Sequence, residues 1–263
     1  MKADPLVVTR LRAAGCVFAE EEAALLASAA GSAAELDAMV ERRAAGEPLE
    51  QVIGWAEFCG LRVLVGPGVF VPGRRSEFLV SVAVGLARES GGPPLVVVDL
   101  CCGTGALGLA VAAPLGGAEL HAADLDAAAV ACARRNVEPT GGHVHAGDLF
   151  GALPSGLAGR VDVLICNAPY VPTAEIAFMP PEARDHEALM ALDGGTDGLA
   201  VLRRVAAAAP SWLAPGGVLL VETSERQAPA MAAAMTAAGL ISEVHEDDDS
   251  GATVVTGAAK RII

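Results

Sequence analysis

Aromatic side chains are scarce in this chain of 263 residues. Phenylalanine, tryptophan and tyrosine make up 3% of it, with a single tyrosine, whereas hydrophobic residues of all kinds make up 53%. Alanine, valine and leucine must therefore do most of the packing. The length is sufficient for one large hydrophobic core together with a smaller accessory domain.

The chain also lacks an apolar run that approaches the roughly 20 residues of a membrane-spanning helix. Its first residues include Asp4 and Pro5, and their apolar centre is too short for a signal peptide. The sequence therefore predicts no membrane association, and a cytoplasmic location is expected.

Positive charge is in short supply as well. Lysine and arginine number 18 against 32 acidic residues, the formal net charge is −14, and no basic run occurs. Because proteins bind nucleic acid largely by neutralising phosphates with lysine and arginine, a nucleic-acid substrate is disfavoured.

Metal-binding and disulfide patterns are missing too. The six cysteines show no CxxC spacing, and the adjacent Cys101 and Cys102 cannot form an unstrained disulfide, so all six are expected to be reduced. Residues 185–187 (Asp-His-Glu) could form a metal or acid–base site. A solvated loop is the favoured interpretation, because no further ligands occur at metal-site spacing, and no metal site is predicted.

Composition and punctuation divide the chain into three predicted parts. Residues 1–48 have helix-forming composition and apolar spacing, with Ser32 and Glu35 suggesting a capping box. Residues 49–75 are glycine-punctuated and rich in β-formers, which predicts a β-hairpin linker. Residues 76–263 form the main domain.

In this main domain, strands and helices alternate. Strands are predicted at 95–100, 119–123, 143–146, 161–166 and 217–222, with a final pair around a turn at 247–251. Helices are predicted at 76–88, 106–113, 126–136, 199–209 and 229–238. Such alternation predicts an α/β fold with a doubly wound, mainly parallel, seven-stranded sheet and a C-terminal antiparallel hairpin.

A glycine turn follows the first strand of this sheet. Gly103, Gly105 and Gly108 satisfy G-x-G-x-x-G, and Asp124 ends the next strand about 20 residues on. Taken literally, this is a dinucleotide-binding fingerprint. An NAD-dependent oxidoreductase is therefore an alternative, although it needs a catalytic histidine or lysine and only His186 is loosely placed for that role.

Two observations favour a different cofactor. Asp99 ends the strand before the turn, where a carboxylate suits a cationic group better than a pyrophosphate. No lysine or arginine occurs between Glu89 and Cys132. Both observations favour S-adenosyl-L-methionine, which carries a sulfonium cation and no phosphate.

Acids recur at successive strand ends. Asp99, Asp124 and Asp148 follow three consecutive strands, and Leu149 comes next. Each acid alone could be a helix cap or a solvated loop residue. Together they predict a polar site at the carboxyl edge of the sheet, with Asp148 accepting a hydrogen bond from an adenine amino group and Leu149 covering the adenine ring.

The stretch VDVLICNAPY, residues 161–170, carries the strongest signal. A buried strand ends in Asn167, Ala168, Pro169 and Tyr170, just where open α/β sheets place their ligands. An ordinary exit from strand to loop is the alternative for the tetrapeptide taken alone.

The order DLCCGTG, AADLD, GDLF and NAPY resembles class I S-adenosylmethionine methyltransferases. More narrowly, it resembles the protein-(glutamine-N5) methyltransferases of the HemK/PrmC type, which modify the glutamine of the Gly-Gly-Gln loop in peptide release factors. The hairpin segment, the stretch ALDGGTDGL at 191–199 and the stretch ETSERQ at 222–227 extend the resemblance to most of the chain.

The resemblance implies a role for each motif. The methionine part of the cofactor would be wrapped by Cys101, Cys102, Gly103, Thr104 and Gly105. Asp124 would bind the ribose, Asp148 and Leu149 the adenine, and Asn167 would lie beside both cofactor and substrate. The side-chain oxygen of Asn167 and the backbone carbonyl of Ala168 would accept the two N–H bonds of the substrate amide. Pro169 would stiffen the turn, and Tyr170 would pack against the substrate.

Two departures from the family are visible. NPPY becomes NAPY through Ala168, and the family's P-R-P-E-T-E becomes PGRRSE at residues 72–77. These departures favour a divergent, actinobacterial-type branch and leave the protein substrate open. A nucleic-acid amine, a small molecule and a non-catalytic adaptor function are the remaining alternatives.

Overall fold

The computed structural model describes residues 4–89, 94–179 and 189–261. Four helices come first: α1 (Pro5–Ala13), α2 (Ala19–Ala29), α3 (Ala33–Ala44) and the short α4 (Leu49–Ile53). They pack around an apolar cluster of their own that includes the buried Leu11, Leu26 and Val40. The domain boundaries expected at residues 48 and 75 stay predictions.

The predicted capping box of α3 forms only in part. Ser32 Oγ accepts the backbone N–H of Glu35, as expected. The Glu35 carboxylate, however, accepts the N–H of Gly31 at 2.7 Å rather than that of Ser32. The helix still starts where the sequence predicted, because Ser32 satisfies one of its free N–H groups.

A β-hairpin and a seven-stranded sheet follow. The hairpin strands are β1 (Trp55–Phe58) and β2 (Leu61–Leu64). The sheet strands are β3 (Val96–Leu100), β4 (Glu119–Asp124), β5 (His143–Ala146), β6 (Val161–Cys166), β7 (Leu213–Thr223), β8 (Ile241–Asp247) and β9 (Ala252–Ala258). Over the described residues the sheet order is β5-β4-β3-β6-β7-β9-β8, and β9 alone runs opposite to the other six strands. The predicted fold class is confirmed.

Helices cover both faces of the sheet. They are α5 (Glu77–Glu89), α6 (Ala106–Ala112), α7 (Ala127–Val137), the single turn α8 (Leu189–Leu192), α9 (Ala200–Ala208) and α10 (Ala228–Ala237). Short 3-10 helices occur at Arg74–Ser76, Ala113–Leu115, Glu138–Thr140, Leu149–Ala152, Ser155–Leu157, Thr173–Phe178 and Ala209–Ser211. In the part of the chain that the structure covers, no helix combines the length and apolarity needed to span a membrane.

The apolar core lies in two layers, one on each face of the sheet. Val97 and Ile165 face the layer built with α5, α6 and α7. Their neighbours Val98 and Leu164 face the opposite layer, built with α9 and α10. This division follows from the two-residue repeat of a strand, and it explains why β3 and β6 carry apolar residues on both faces.

The side chain of Asn136, which the sequence analysis did not select, bonds to both the hairpin and the glycine turn. Asn136 of α7 accepts the N–H of Leu64 through Oδ1 at 2.9 Å. Its Nδ2 donates to the carbonyls of Leu64 and Thr104, both at 2.9 Å. One asparagine therefore joins the hairpin to the glycine turn.

Candidate active site

A cavity of about 310 Å³ opens at the carboxyl edge of the sheet. Leu100 of β3 is in register with Ala123 of β4 on one side and with Cys166 of β6 on the other. The residues that follow these three strands therefore lie side by side. Eleven of the predicted site residues line the cavity: Cys101, Cys102, Gly103, Thr104, Asp124, Asp148, Leu149, Asn167, Ala168, Pro169 and Tyr170.

Asp99 is not one of them, which corrects the prediction that it faces a cationic part of the cofactor. Its carboxylate is 1% exposed and accepts the backbone N–H of Gly108 at 2.9 Å. Burial raises the pKa of Asp99 to about 7. Because strand side chains alternate between faces, Asp99 points to the first turn of α6 and supports the glycine turn from behind.

Gly105 also lies outside the cavity lining. It adopts the left-handed conformation with φ of 78° at the start of α6. A Cβ at this position would come within 2.6 Å of Val137 Cγ2. The residue must be glycine because of both its backbone conformation and its close packing against α7.

Backbone strain occurs at two residues that do line the cavity. Cys101 has φ of 56° and Leu149 has φ of 49°, a region that residues with a side chain seldom adopt. Such strain is commonly retained at binding sites, where the surrounding fold holds the backbone in place. Both residues were predicted to contact the cofactor.

The carboxylate of Asp124 lies next to the glycine turn. Its Oδ2 accepts the N–H of Gly103 and its Oδ1 accepts the N–H of Asp126, both at 2.9 Å. Burial raises the pKa of Asp124, and these two N–H groups limit the rise. An ionised carboxylate has about four acceptor positions, more than the neighbouring N–H groups fill, so it can still accept from hydroxyl groups in the cavity.

Asp148 follows β5 at the cavity edge and pairs with a cation. Its Oδ2 accepts a hydrogen bond from the Arg204 guanidinium at 2.6 Å, with both side chains more than half exposed. Arg204 lies on α9 and was not predicted. The adenine contact of Asp148 stays a prediction, and the ion pair accounts for one of the two carboxylate oxygens.

Asn167 is held by a buried network behind the cavity. Its Nδ2 donates to Ser76 Oγ at 3.1 Å and lies 3.5 Å from Glu222 Oε2. Ser76 Oγ in turn donates to Glu222 Oε2 at 2.6 Å. Since a carboxylate can only accept, the amide nitrogen must face Glu222, and Oδ1 is the atom left for another donor. In the described chain, no group donates to Asn167 Oδ1 or to the Ala168 carbonyl.

Tyr170 is fixed at both its side chain and its backbone. Its hydroxyl donates to Glu222 Oε1 at 3.2 Å, and burial together with the charge of Glu222 raises the pKa of the phenol. Its carbonyl accepts from Gln227 Nε2 at 2.8 Å. A Cβ on Gly198 would lie 2.2 Å from that carbonyl oxygen, so the neighbouring loop packs directly on the tetrapeptide.

The sequence analysis did not select Ser76, Arg204, Glu222 or Gln227 as site residues. Glu222 had a detectable signal, because it is an acid near the carboxyl end of a predicted strand, as Asp124 is. Ser76, Arg204 and Gln227 had no such signal. They reach the site only because 3-10 turns and helices fold over the sheet edge.

The alternatives to a methyltransferase receive no support from the lining. No histidine or lysine among the described residues lines the cavity, and residues 185–187, including His186, lie outside the described part. Residues 4–89, 94–179 and 189–261 contain no group of three histidine, cysteine or acidic residues that could hold a metal ion.

Comparison with known proteins agrees with this geometry. The family model described as methyltransferase small domain matches residues 62–180. The chain is 40% identical over 189 residues to the release factor glutamine methyltransferase of Streptomyces coelicolor, covering 72% of this chain and 67% of that protein. It is 37% identical over 204 residues to the 4-amino-L-phenylalanine/4-methylamino-L-phenylalanine methyltransferase of Streptomyces pristinaespiralis, covering 76% and 69% respectively. A solved methyltransferase from Pyrococcus furiosus shares the fold, with a TM-score of 0.55, 17% identity and coverage of 77% of this chain and 90% of that chain.

Proposed function

The chain belongs to the release factor glutamine methyltransferase family, and we propose that it transfers a methyl group from S-adenosylmethionine to the side-chain amide of a protein glutamine. The proposed acceptor is the glutamine of the Gly-Gly-Gln loop in a peptide release factor. The orientation of Asn167 carries the proposal, because its Nδ2 is directed to Ser76 and Glu222 and its Oδ1 can accept an N–H of the substrate.

The cavity suits a phosphate-free nucleoside. Asp124 keeps acceptor positions for ribose hydroxyls beside the glycine turn. The one cation that lines the described cavity, Arg204, is paired with Asp148, so the lining offers a pyrophosphate no net positive charge from this pair. These features support S-adenosylmethionine over a dinucleotide. When bound, this cofactor supplies an electrophilic methyl group on a sulfonium sulfur.

The residues of this chain would position the acceptor. An amide nitrogen is a poor nucleophile because its lone pair is delocalised into the carbonyl. Asn167 Oδ1 and the Ala168 carbonyl would accept its two N–H bonds and so direct the lone pair along the line of attack. Because the entropy cost of aligning the two reactants is then met when the substrate binds, the activation free energy of methyl transfer is lower. No basic side chain is required, because the nitrogen loses its proton readily once it carries the methyl group.

The direct test uses the whole chain, S-adenosylmethionine and a full-length release factor, with mass spectrometry of the Gly-Gly-Gln peptide. One added methyl on the glutamine is expected, and none on a release factor in which that glutamine is replaced by glutamate. A parallel reaction offers 4-amino-L-phenylalanine as acceptor. Methylation of this arylamine with none of the release factor would overturn the proposed substrate.

The variant Asn167→Ala tests the role of Asn167 in positioning the acceptor amide. It should abolish transfer while S-adenosylmethionine binds with a Kd within about twofold of the wild type, as measured by calorimetry. Unchanged turnover in this variant would contradict the role given to Asn167.

A further inference from the structure

Glu222 lies behind the active site, near the end of β7. It is 2% exposed and does not line the cavity. Its Oε2 accepts from Ser76 and faces Asn167 Nδ2, whereas its Oε1 accepts from the hydroxyl of Tyr170. Glu222 therefore contacts two cavity residues, Asn167 and Tyr170, which are the first and last residues of the tetrapeptide.

A cation completes the surroundings of this carboxylate. Arg75 Nε lies 3.5 Å from Glu222 Oε1, and a second guanidinium nitrogen of Arg75 donates to the Thr223 carbonyl at 3.2 Å. Among the described residues Arg75 Nε has no hydrogen-bond partner, so it acts on Glu222 as an ion pair. A buried carboxylate is tolerated when charge and hydrogen-bond donors surround it, and here both are present.

The direction of every bond in this network follows from the charge of Glu222. A carboxylate accepts and does not donate, so the Ser76 hydroxyl, the Asn167 amide and the Tyr170 hydroxyl all present hydrogens to it. A neutral carboxamide in its place would present N–H groups of its own. Asn167 could then turn over and direct Nδ2 instead of Oδ1 to the substrate.

We propose that Glu222 is a positioning residue for methyl transfer. It holds Asn167 with its oxygen toward the acceptor amide and holds the Tyr170 ring in the cavity wall. This inference rests on the function proposed above. A residue that only stabilises the fold would behave differently. Removing the Glu222 carboxylate should disturb the orientation of the acceptor amide and leave cofactor binding unchanged.

Kinetics of Glu222→Gln provide the first test. The kcat for methylation of the release factor should fall about 10- to 100-fold, because small misplacements of an acceptor cost rates of that size. The Kd for S-adenosylmethionine should stay within about twofold, because Asp124 and the glycine turn are not part of the network. A kcat equal to that of the wild type in the folded variant overturns the proposal.

The matched control is Glu22→Gln. Glu22 is also buried and also paired with an arginine, at 2.7 Å from Arg43 Nε, but it lies among the N-terminal helices. This variant should lose stability with its kcat unchanged. A fall in kcat of the same size in both variants would mean that stability alone explains the effect, and the proposal would be wrong.

The single tyrosine offers a readout that needs no turnover. The charge of Glu222 contributes to the raised pKa of Tyr170. In Glu222→Gln the phenol of Tyr170 should therefore ionise at lower pH than in the wild type, which an alkaline titration followed by tyrosinate absorbance measures. Glu22→Gln should titrate as the wild type does. Identical titration of Glu222→Gln and wild type would overturn the contact on which the proposal depends.

A second variant covers the case in which Glu222→Gln does not fold. Ser76→Ala removes the hydroxyl between Asn167 and Glu222, and its kcat should fall about 3- to 10-fold with cofactor Kd retained. An unchanged kcat overturns the proposal. If the wild type binds S-adenosylmethionine and leaves the release factor unmethylated, the proposed function fails, and the tyrosine titration still decides whether Glu222 holds Tyr170.

Discussion

The carboxylate of Asp99 accepts the backbone N–H of Gly108 at 2.9 Å, within the core between β3 and α6. A Cβ on Gly108 would lie 3.0 Å from Asp99 Oδ2 and 2.9 Å from Leu120 Cδ1, so glycine is needed for this approach. The pair joins the first strand of the sheet to the helix that begins at the glycine turn. It shapes the cavity edge without lining it.

Asp99 should make stability depend on pH. Its folded pKa of about 7 lies above the ordinary value of 3.8 because burial disfavours the charge. The folded state therefore binds more protons between these values, and stability is lost as pH rises from about 4 to about 7. The loss has an upper bound on the order of 4 kcal/mol.

Asp99→Asn should flatten this part of the pH profile, because the carboxamide can still accept from Gly108 and does not ionise. Denaturant unfolding from pH 4 to 8 measures the effect. The variant is expected to approach the wild type at the acidic end and to exceed its stability above pH 7. Parallel profiles for both proteins would show that Asp99 is not the group responsible.

Asp124→Ala should weaken cofactor binding. The substitution removes the acceptor positions assigned to the ribose hydroxyls, and the Kd for S-adenosylmethionine measured by calorimetry should rise by about tenfold or more. Asp4→Ala is the control, since Asp4 accepts one backbone N–H at the start of α1, far along the chain from the cavity. A Kd that changes equally in both variants would speak against a ribose contact.

Gly105→Ala should be more damaging than Gly141→Ala. Both glycines have positive φ, 78° and 87°, so both variants incur backbone strain of about 1–2 kcal/mol. Only the Cβ at Gly105 meets another atom, Val137 Cγ2 at 2.6 Å, whereas nothing lies within 4 Å at Gly141. Chemical denaturation should show the larger loss for Gly105→Ala, and equal losses would exclude the steric explanation.

Ala168→Pro restores the family's NPPY. The proposed role of this residue uses its backbone carbonyl, which proline also has, so kcat for the release factor should stay within about threefold of the wild type. Steady-state kinetics measure this, with Asn167→Ala as the inactive reference. A loss as large as that of Asn167→Ala would mean that the alanine itself, and not its carbonyl, is required.

Local pattern was sufficient for the sheet strands and their order along the chain, but not for every boundary or for every short helix. His143–Ala146 and Val161–Cys166 have the bounds that the sequence predicted, because each is a short stretch between turn residues at a place where the alternation of strands and helices requires a strand. The end of β7 was missed by one residue and its start by four, since Leu213 pairs with Val161 across a β-bulge that no local pattern announces. The short helix Leu49–Ile53 was also missed, because the glycines that follow it led to the whole of residues 49–75 being assigned to a β-hairpin linker.

The sequence by itself determined the sheet, the glycine turn, the position of Asn167–Tyr170 at a strand end and the family resemblance. Each of these depends on residues that are neighbours along the chain. Only the tertiary structure decided that Asp99 faces α6, that Arg204 pairs with Asp148, and that Ser76 and Glu222 meet behind Asn167. Ser76 and Glu222 are 146 residues apart in sequence and share a hydrogen bond of 2.6 Å. The direction of a side chain and the donor it meets depend on how distant elements pack, and that information is absent from any local stretch of sequence.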